Sequence, residues 1–433
     1  MRNLLISLLM IFLSVNAFAA SLINDTETER VLYELVAPIA RAADIPDNRF
    51  KIHIINDDDF NAFVMGGEDI YVNTGLLKQI KNPDAFQAVI AHELGHTVGG
   101  HMAQMSDRMG AEMKRTMLIQ ALGIGLMVAG GNPTLGAGVL AGSSGVAQQS
   151  MMAFTRDEER IADNLGVDLM VRAGQNPNGF ITVFEQMHEL TGAMESKINP
   201  NRVNHPLTTE RLNNVRARIA DVAPDYRPDS KLAKERSAKY ELVRAKLIGY
   251  LDSPSRVLEM YPYADTSNAA LYARAIANMR GGNLDGARMG TQTLISRASN
   301  NPYFYELLGD IEYQFGHYDD SVLAYEKALT LAGDAPQIQT ALALVLTERG
   351  RPTDKSRAIE LCKRAILNEP APLTYWVLAR AYGDDDMGRN AWAMAEYNKM
   401  IGKNDVAKEY AKRARKHLNK SDAEYIKAGD ILQ

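Results

Sequence analysis

Apolar residues recur at helical spacing along several stretches of the chain and alternate in two short ones. Val31, Leu32, Leu35 and Ile39 share one face of a helix expected over 27–43, which Pro46 and Asp47 end. Lys51 to Asn56 alternates as a strand does, and Asp69 to Asn73 holds a second β-rich run, Ile70-Tyr71-Val72, with Gly66-Gly67 marking a turn between them. Asn82-Pro83-Asp84 opens a helix capped by Asn82 or Asp84, with Phe86, Val89, Ile90 and Leu94 along its apolar side. Two further helices are expected around 156–173 and 177–192, then a loop over 193–207 and a linker over 221–230 containing Pro224 and Pro228. The stretch from 116 to 155 carries no charge. Its apolar arms, Leu118 to Ala129 and Leu135 to Ala141, flank Gly130-Gly131-Asn132-Pro133, and each is shorter than the roughly 20 residues that span a bilayer. A buried or interfacial hairpin is expected there, with peripheral membrane contact through 116–155 as the alternative. Met102, Met105, Met109, Met113 and Met117 form a helical stripe leading into it, suited to core packing or to an adaptable apolar surface.

The C-terminal part repeats. Gly282, Gly316 and Gly350 stand 34 residues apart, and Ala287 matches Ser321 and Leu271 matches Tyr305 at the same period. The clearest copy holds Tyr305, Leu308, Gly309, Gly316, Ser321, Tyr325 and Ala328; the next gains about three residues before Ala358 and recovers at Cys362, Ala365 and Pro370. This resembles the tetratricopeptide repeat, a pair of antiparallel helices that buries its apolar faces only by stacking on its neighbours. Small residues recur where paired helices approach closely, and Cys362 is expected inside the repeats.

The N-terminus reads as a secretory signal. Arg2 is the positive n-region, Leu4 to Val15 the apolar core, and Ala17-Phe18-Ala19 a small-x-small site with cleavage after Ala19. Composition fits a globular chain of two or three domains, at 433 residues with 46% hydrophobic and 23% charged. The net charge of −5 argues against nucleic acid as a partner. The only cysteine is Cys362, so no disulfide forms within the chain and any metal must be held by His, Asp or Glu.

His92-Glu93-Leu94-Gly95-His96 is the segment that carries chemistry. On a helix, positions i and i+4 share a face, so His92 and His96 can aim their imidazoles at one zinc ion. Zinc brings the pKa of a bound water to about 7, and Glu93, turned to the side, can take its proton as the general base. A catalytic zinc needs a third protein ligand. The metzincin pattern would require histidine at 102, which is Met102; His101 is read as helix surface or packing. Glu159 is the best candidate, with Asp163 one turn on as a carboxylate that orients a ligating histidine. A charged, solvated helix start has the same composition, and spacing alone does not choose between the two.

His-Glu-Leu-Gly-His followed by Arg156-x-x-Glu159-x-x-Ala162-Asp163 is similar to the M48 family of zinc peptidases. So are Asn61-Ala62-Phe63, Gly66-Gly67, the run from Tyr71 to Leu77, and His101. The likeness covers about 27–220, and the export signal with C-terminal repeats resembles its periplasmic, repeat-bearing branch. It implies one Zn2+ per chain held by His92, His96 and Glu159, with Glu93 as base. It also implies substrate bound by β-addition along an edge strand, Ile70, Tyr71, Val72 and Asn73. His205-Pro206 and Arg211 match a position near the active site: either side chain can donate to the oxyanion, or His205 can fill zinc's fourth position and hold the enzyme latent. The expected fold is an α+β zincin-like metallopeptidase domain (20–220) after a signal peptide (1–19). A linker with a connecting helix (221–267) and an all-α TPR-like solenoid (268–433) follow. The expected function is periplasmic cleavage of unfolded or misassembled envelope proteins, the repeats recruiting clients and the outer-membrane protein assembly machinery. The competing readings are a TPR chaperone or scaffold with rare or gated proteolysis, and a membrane-inserted protease using 116–155.

Overall fold

The computed structural model describes residues 22–65, 69–101, 155–193, 205, 208–224, 226 and 229–433. The signal segment, the Gly66-Gly67 turn, the methionine stripe, the uncharged stretch 116–154 and all of the 194–207 loop except His205 lie outside them. The chain forms two compact units, one of residues 29–240 and the other of 22–28 with 241–433. A two-residue strand, β1 (Leu22–Ile23), belongs to the second unit, and helix α1 (Thr26–Ala42) begins there before passing into the first.

In the first unit β4 (Asp69–Asn73) lies between β2 (Ile52–Ile55), parallel to it, and β3 (Ala62–Met65), antiparallel to it. Alternation sorts the faces as the period of two requires. Ile52, Ile54, Val64, Ile70 and Val72 are buried on one side, and His53, Tyr71 and Phe63 stack across the three strands on the other, with ring centroids 4.7 and 5.1 Å apart. After α2 (Thr74–Gln79), α3 (Pro83–Val98) runs through the middle of the unit, buried at Ala85, Phe86, Ala88, Ile90, Ala91 and Leu94. Its start is as expected: the Asn82 side chain accepts from the Asp84 amide, and Pro83 sits where no amide is needed. Helices α4 (Arg156–Arg172) and α5 (Gly179–Ala193) pack against it, and α6 (Thr209–Val222) packs against α4 and α5.

The segment expected to link the domains holds two helices, α7 (Ser230–Leu251) and α8 (Pro254–Met260), and the division between units falls within α7. Antiparallel pairs then follow: α9 (Asn268–Arg280) with α10 (Leu284–Arg297), α11 (Pro302–Gln314) with α12 (Tyr318–Ala332), α13 (Pro336–Arg349) with α14 (Asp354–Asn368), and α15 (Pro372–Tyr382) with α16 (Met387–Met400). Two last helices, Asn404–His417 and Ala423–Leu432, complete the array. The periodic glycines end the first helix of three pairs in the left-handed region, with φ of 81° at Gly282, 81° at Gly316 and 68° at Gly350. The extra residues before Ala358 lengthen the turn ahead of α14, where Arg349 clamps Asp354 with two bonds of 2.7 and 2.8 Å. Cys362 is fully buried among the repeats, and burial pushes its thiol up to about 12.

Within this second unit a polar cluster is largely shut away from water. Lys246 Nζ lies 2.5 Å from Asp25, 3.3 Å from Glu27 and 3.4 Å from Glu306. The Tyr272 hydroxyl donates to Glu27 at 2.7 Å, Tyr250 donates to Asp310 at 2.8 Å, and Tyr325 also donates to Asp310. Four carboxyls thus share one lysine. Burial, against the pull of Lys246, pushes Glu306 up to about 8 from an ordinary 4.5, and Glu27 and Asp310 shift the same way. Because the folded form binds the proton more tightly, the Glu306 contribution to stability is complete below about 4.5 and is lost as pH rises through about 8. The melting temperature of the chain should therefore fall between pH 5.5 and 8 by more than that of Glu306→Gln; an equal fall in both would contradict this.

Candidate metal centre

Three elements bring the site together. Helix α3 carries His92, Glu93 and His96, α4 carries Glu159 and Asp163, and α6 carries Arg211. What lets α3 and α4 meet is the absence of side chains at two crossing points. A Cβ at Gly95 would lie 2.4 Å from the Ala162 carbonyl oxygen, and one at Gly166 would lie 3.0 Å from the Ala91 backbone. The glycine inside the His-Glu-Leu-Gly-His segment is thus a packing requirement of the helix that brings Glu159. Gly95→Ala should wedge the helices apart and lower zinc affinity at least tenfold, in the range of lost ligand support, with helix content kept by circular dichroism. Undiminished affinity would contradict that role.

The start of α4 sorts its three consecutive acids. Thr155 and Glu158 close a capping box, the Thr155 hydroxyl accepting from the Glu158 amide at 3.2 Å and Glu158 accepting from the Thr155 amide at 2.8 Å. Asp157 lies at the surface beside Arg160, 3.0 Å away. Glu158 and Glu159 are both buried, but Glu158 is held in the cap and Glu159 turns toward the two histidines.

One atom from each of His92, His96, Glu159 and His205 falls within 4.8 Å of all the others. His92 Nε2 is 3.2 Å from His96 Nε2 and 3.3 Å from His205 Nδ1, and Glu159 lies 3.5 Å from His92 Nε2 and 3.6 Å from His96 Nε2. Four ligands at about 2.05 Å from a tetrahedral ion stand about 3.3 Å apart, so these spacings are those of a zinc shell. The 2.7 Å between His205 Nδ1 and Glu159 Oε1 is a hydrogen bond. Imidazole nitrogens that face each other this closely repel unless one carries a proton or both lone pairs point at a shared cation.

The outward nitrogens are held as well. His92 Nδ1 is 2.9 Å from Asp163 Oδ1, and His96 Nδ1 is 3.0 Å from His101 Nδ1. Each ring therefore presents Nε2 to the centre, the orientation a metal ligand needs. Arg211 fixes both carboxylates. It grips Asp163 through Nε and Nη2 at 2.8 Å each and reaches Glu159 Oε2 with Nη1 at 2.6 Å, its guanidinium 5.4 Å above the Phe184 ring.

Burial alone would raise the Glu159 carboxyl, but hydrogen bonds from His205 and His96 hold it well below its usual range. Asp163 is likewise held low by Arg211 and His92 against burial. Burial pulls His96 down to about 4, so this ring is neutral at pH 7 and has a lone pair to give. Glu93 is pushed up by burial, its Oε1 3.6 Å from His205 Nε2. His205 itself moves up, Glu93 and Glu159 outweighing its burial.

Residues 26–219 match the family model "Peptidase family M48". The chain carries an M48 peptidase domain. It is 26% identical over 372 residues to the beta-barrel assembly-enhancing protease of Escherichia coli (strain K12), spanning 84% of this chain and 73% of that protein. The beta-barrel assembly-enhancing protease of Yersinia pestis is 24% identical over 342 residues, 77% of this chain and 67% of its own. The mitochondrial metalloendopeptidase OMA1 of Schizosaccharomyces pombe is 27% identical over 211 residues, 49% of this chain and 55% of its own. M48 peptidases depend on zinc, and the donor set of this M48 domain fits that ion. The protein is a zinc metalloendopeptidase.

The M48 domain departs from the sequence expectation at the substrate strand. Ile70, Tyr71, Val72 and Asn73 do not form an edge: β4 is hydrogen-bonded on both sides, and β3 is the outer strand. Of the two readings of His101, surface or packing, the structure has the second: its ring is buried against His96. Helix α3 ends at Val98, Gly100 turns the chain with φ of 70°, and His101 folds back over Gly99, where a Cβ would lie 2.7 Å from its ring. The Gly99-Gly100 pair was the available signal. Arg211 pairs with the carboxylates of Glu159 and Asp163.

Proposed function

We propose that the chain is an exported endopeptidase that cleaves misfolded or misassembled envelope proteins in the periplasm, its repeats recruiting clients and contacting the outer-membrane protein assembly machinery. The observation that carries the chemical part is the convergence of His92, His96 and Glu159 beside the buried carboxyl of Glu93. The export signal, the helical repeats and the likeness to beta-barrel assembly-enhancing proteases support the rest. Among the described residues no helix is long and apolar enough to cross a membrane.

Zinc, when bound by His92, His96 and Glu159, polarises a water and the scissile carbonyl. Glu93, whose carboxyl burial makes a better base, takes the proton of the attacking water and passes it to the leaving amine. Asp163 and His101 keep the two imidazoles aimed inward, and Arg211 positions Glu159 and Asp163. An extended substrate segment adds its backbone to β3, Ala62–Met65, the outer strand.

His205 favours tight gating of this activity. Its Nδ1 joins the cluster while its Nε2 faces Glu93, so the ring fills the space where water must stand between the base and the three ligands. His205→Ala should therefore cleave an unfolded outer-membrane barrel at least tenfold faster than the parent, measured as fragments per hour, and a chelator should stop both. Slower cleavage by His205→Ala would assign it to the oxyanion instead; cleavage that survives chelation would remove the metallopeptidase reading.

A further inference from the structure

The helices Asn404–His417 and Ala423–Leu432 close the C-terminal end of the array. A solenoid needs a polar outer face at its end to stay soluble, and charges of either sign serve that purpose. This end uses mostly one sign. Over residues 399–420 eight lysines and arginines stand against two acids, Asp405 and Glu409, in a chain whose net charge is −5. Ala407, Ala411 and Ala414 are buried on one side of the helix Asn404–His417, so the cations occupy the rest of its surface.

Two features set these cations apart from those earlier in the repeats. The first is pairing. Arg288 meets Glu312, Arg351 meets Asp319 and Arg380 meets Glu348, each at 2.6 Å and each on another segment of the array. Lys403, Lys408, Lys412, Arg413, Lys416 and Lys420 are exposed, and among the described residues none of them pairs with a carboxylate. The second is arrangement. Lys408, Lys412 and Lys416 are spaced four apart and form one line about 12 Å long down the helix. Like charges at that spacing repel and weaken a helix. An anionic surface laid over the row relieves that repulsion.

The row runs along the helix and converges on no point, so it suits an extended surface rather than one small anion. Its lysines also argue against a protein partner: lysine is depleted in interfaces between proteins, where arginine and aromatic residues are enriched. A cluster of about four to eight lysines and arginines on a helix is what an anionic lipid surface attracts. Val406 on the same helix and Ile426 on the next are 39% and 61% exposed, apolar side chains that can enter the boundary between headgroups and acyl chains.

We propose that the basic face centred on Lys408, Lys412 and Lys416 docks the repeat array on a membrane surface bearing anionic phospholipids. The contact is electrostatic, inserts no helix, and does not involve the uncharged stretch 116–155.

Flotation with vesicles tests this on the whole chain. The parent should bind vesicles of phosphatidylglycerol and phosphatidylcholine in equal parts at least tenfold more tightly than vesicles of phosphatidylcholine alone. Ionic strength of about 1 M, which screens charges beyond about 3 Å, should remove that difference. Lys408→Gln, Lys412→Gln and Lys416→Gln combined should weaken binding to the mixed vesicles at least tenfold. Helix content should be unchanged, since glutamine sustains a helix about as well as lysine. The control combines Arg351→Gln, Lys355→Gln and Arg357→Gln. It removes the same charge from cations already paired with Asp319, Asp385 and Glu326, and should bind as the parent does. Equal weakening by the two triple variants would reduce the effect to net charge and overturn the proposal, as would equal binding of the parent to both kinds of vesicle. If the lysine variant does not fold, the parent decides: mixed vesicles should protect Lys408, Lys412 and Lys416 from acetylation, and unchanged labelling would overturn it. A parent that binds polyglutamate but neither kind of vesicle would overturn it too, and assign the face to an acidic protein segment.

Discussion

Glu93→Gln should bind zinc as the parent does and lose cleavage by about 10²–10⁴-fold, the range that a positioned general base supplies. Glutamine keeps the volume and hydrogen-bonding reach of the side chain in its buried place, so neither α3 nor the four-atom cluster has a reason to move. It cannot accept a proton. The comparison is single-turnover cleavage of an unfolded barrel protein, with metal content measured on the same samples. Because His205 crowds the same space, the loss is best read in a His205→Ala background, where the parent rate is not limited by gating. Cleavage within tenfold of the parent in that background would remove Glu93 as the base.

Glu159→Ala should have the second large effect, and on a different quantity. It removes an inward-facing carboxylate that stands 3.5 Å from His92 Nε2 and 3.6 Å from His96 Nε2. Zinc affinity should fall well beyond the 10–100-fold typical of losing a supporting residue, as seen by competition with a chelator of known strength. Asp163→Asn tests the distinction: it leaves all four candidate ligand atoms in place and loosens only His92 and Arg211, so its loss should stay inside that range. A Glu159 variant no worse than Asp163→Asn would place the third ligand elsewhere.

The parts of this protein that were legible in its sequence are those where a short-range rule decides the outcome. His92 and His96 share a helix face because four residues make about one turn. The glycines at 282, 316 and 350 ended helices because the chain must turn with positive φ there. Asn82 and Pro83 opened α3 because their chemistry suits nothing further inside a helix. The inward turn of Glu159 was open from spacing alone, since Asp157, Glu158 and Glu159 read alike as a charged helix start. The capping box resolves it by using Glu158, and the Gly95–Ala162 crossing sets how near Glu159 comes. Strand order was not legible: β4 has the stronger β composition, yet the chain returns through β3 on one side and β2 pairs on the other. Nor was the role of His101, which depends on a turn of two glycines, nor that of Arg211, whose charge is spent on two buried carboxylates from another helix.

The account stands on one zinc ion at the meeting point of α3 and α4. Crystals of the zinc-loaded protein, measured above and below the zinc absorption edge, test it most directly. One anomalous peak is expected, within about 2.2 Å of His92 Nε2, His96 Nε2 and a Glu159 oxygen. A structure in which the peak lies away from these three atoms, or in which they converge with no peak among them, would contradict it.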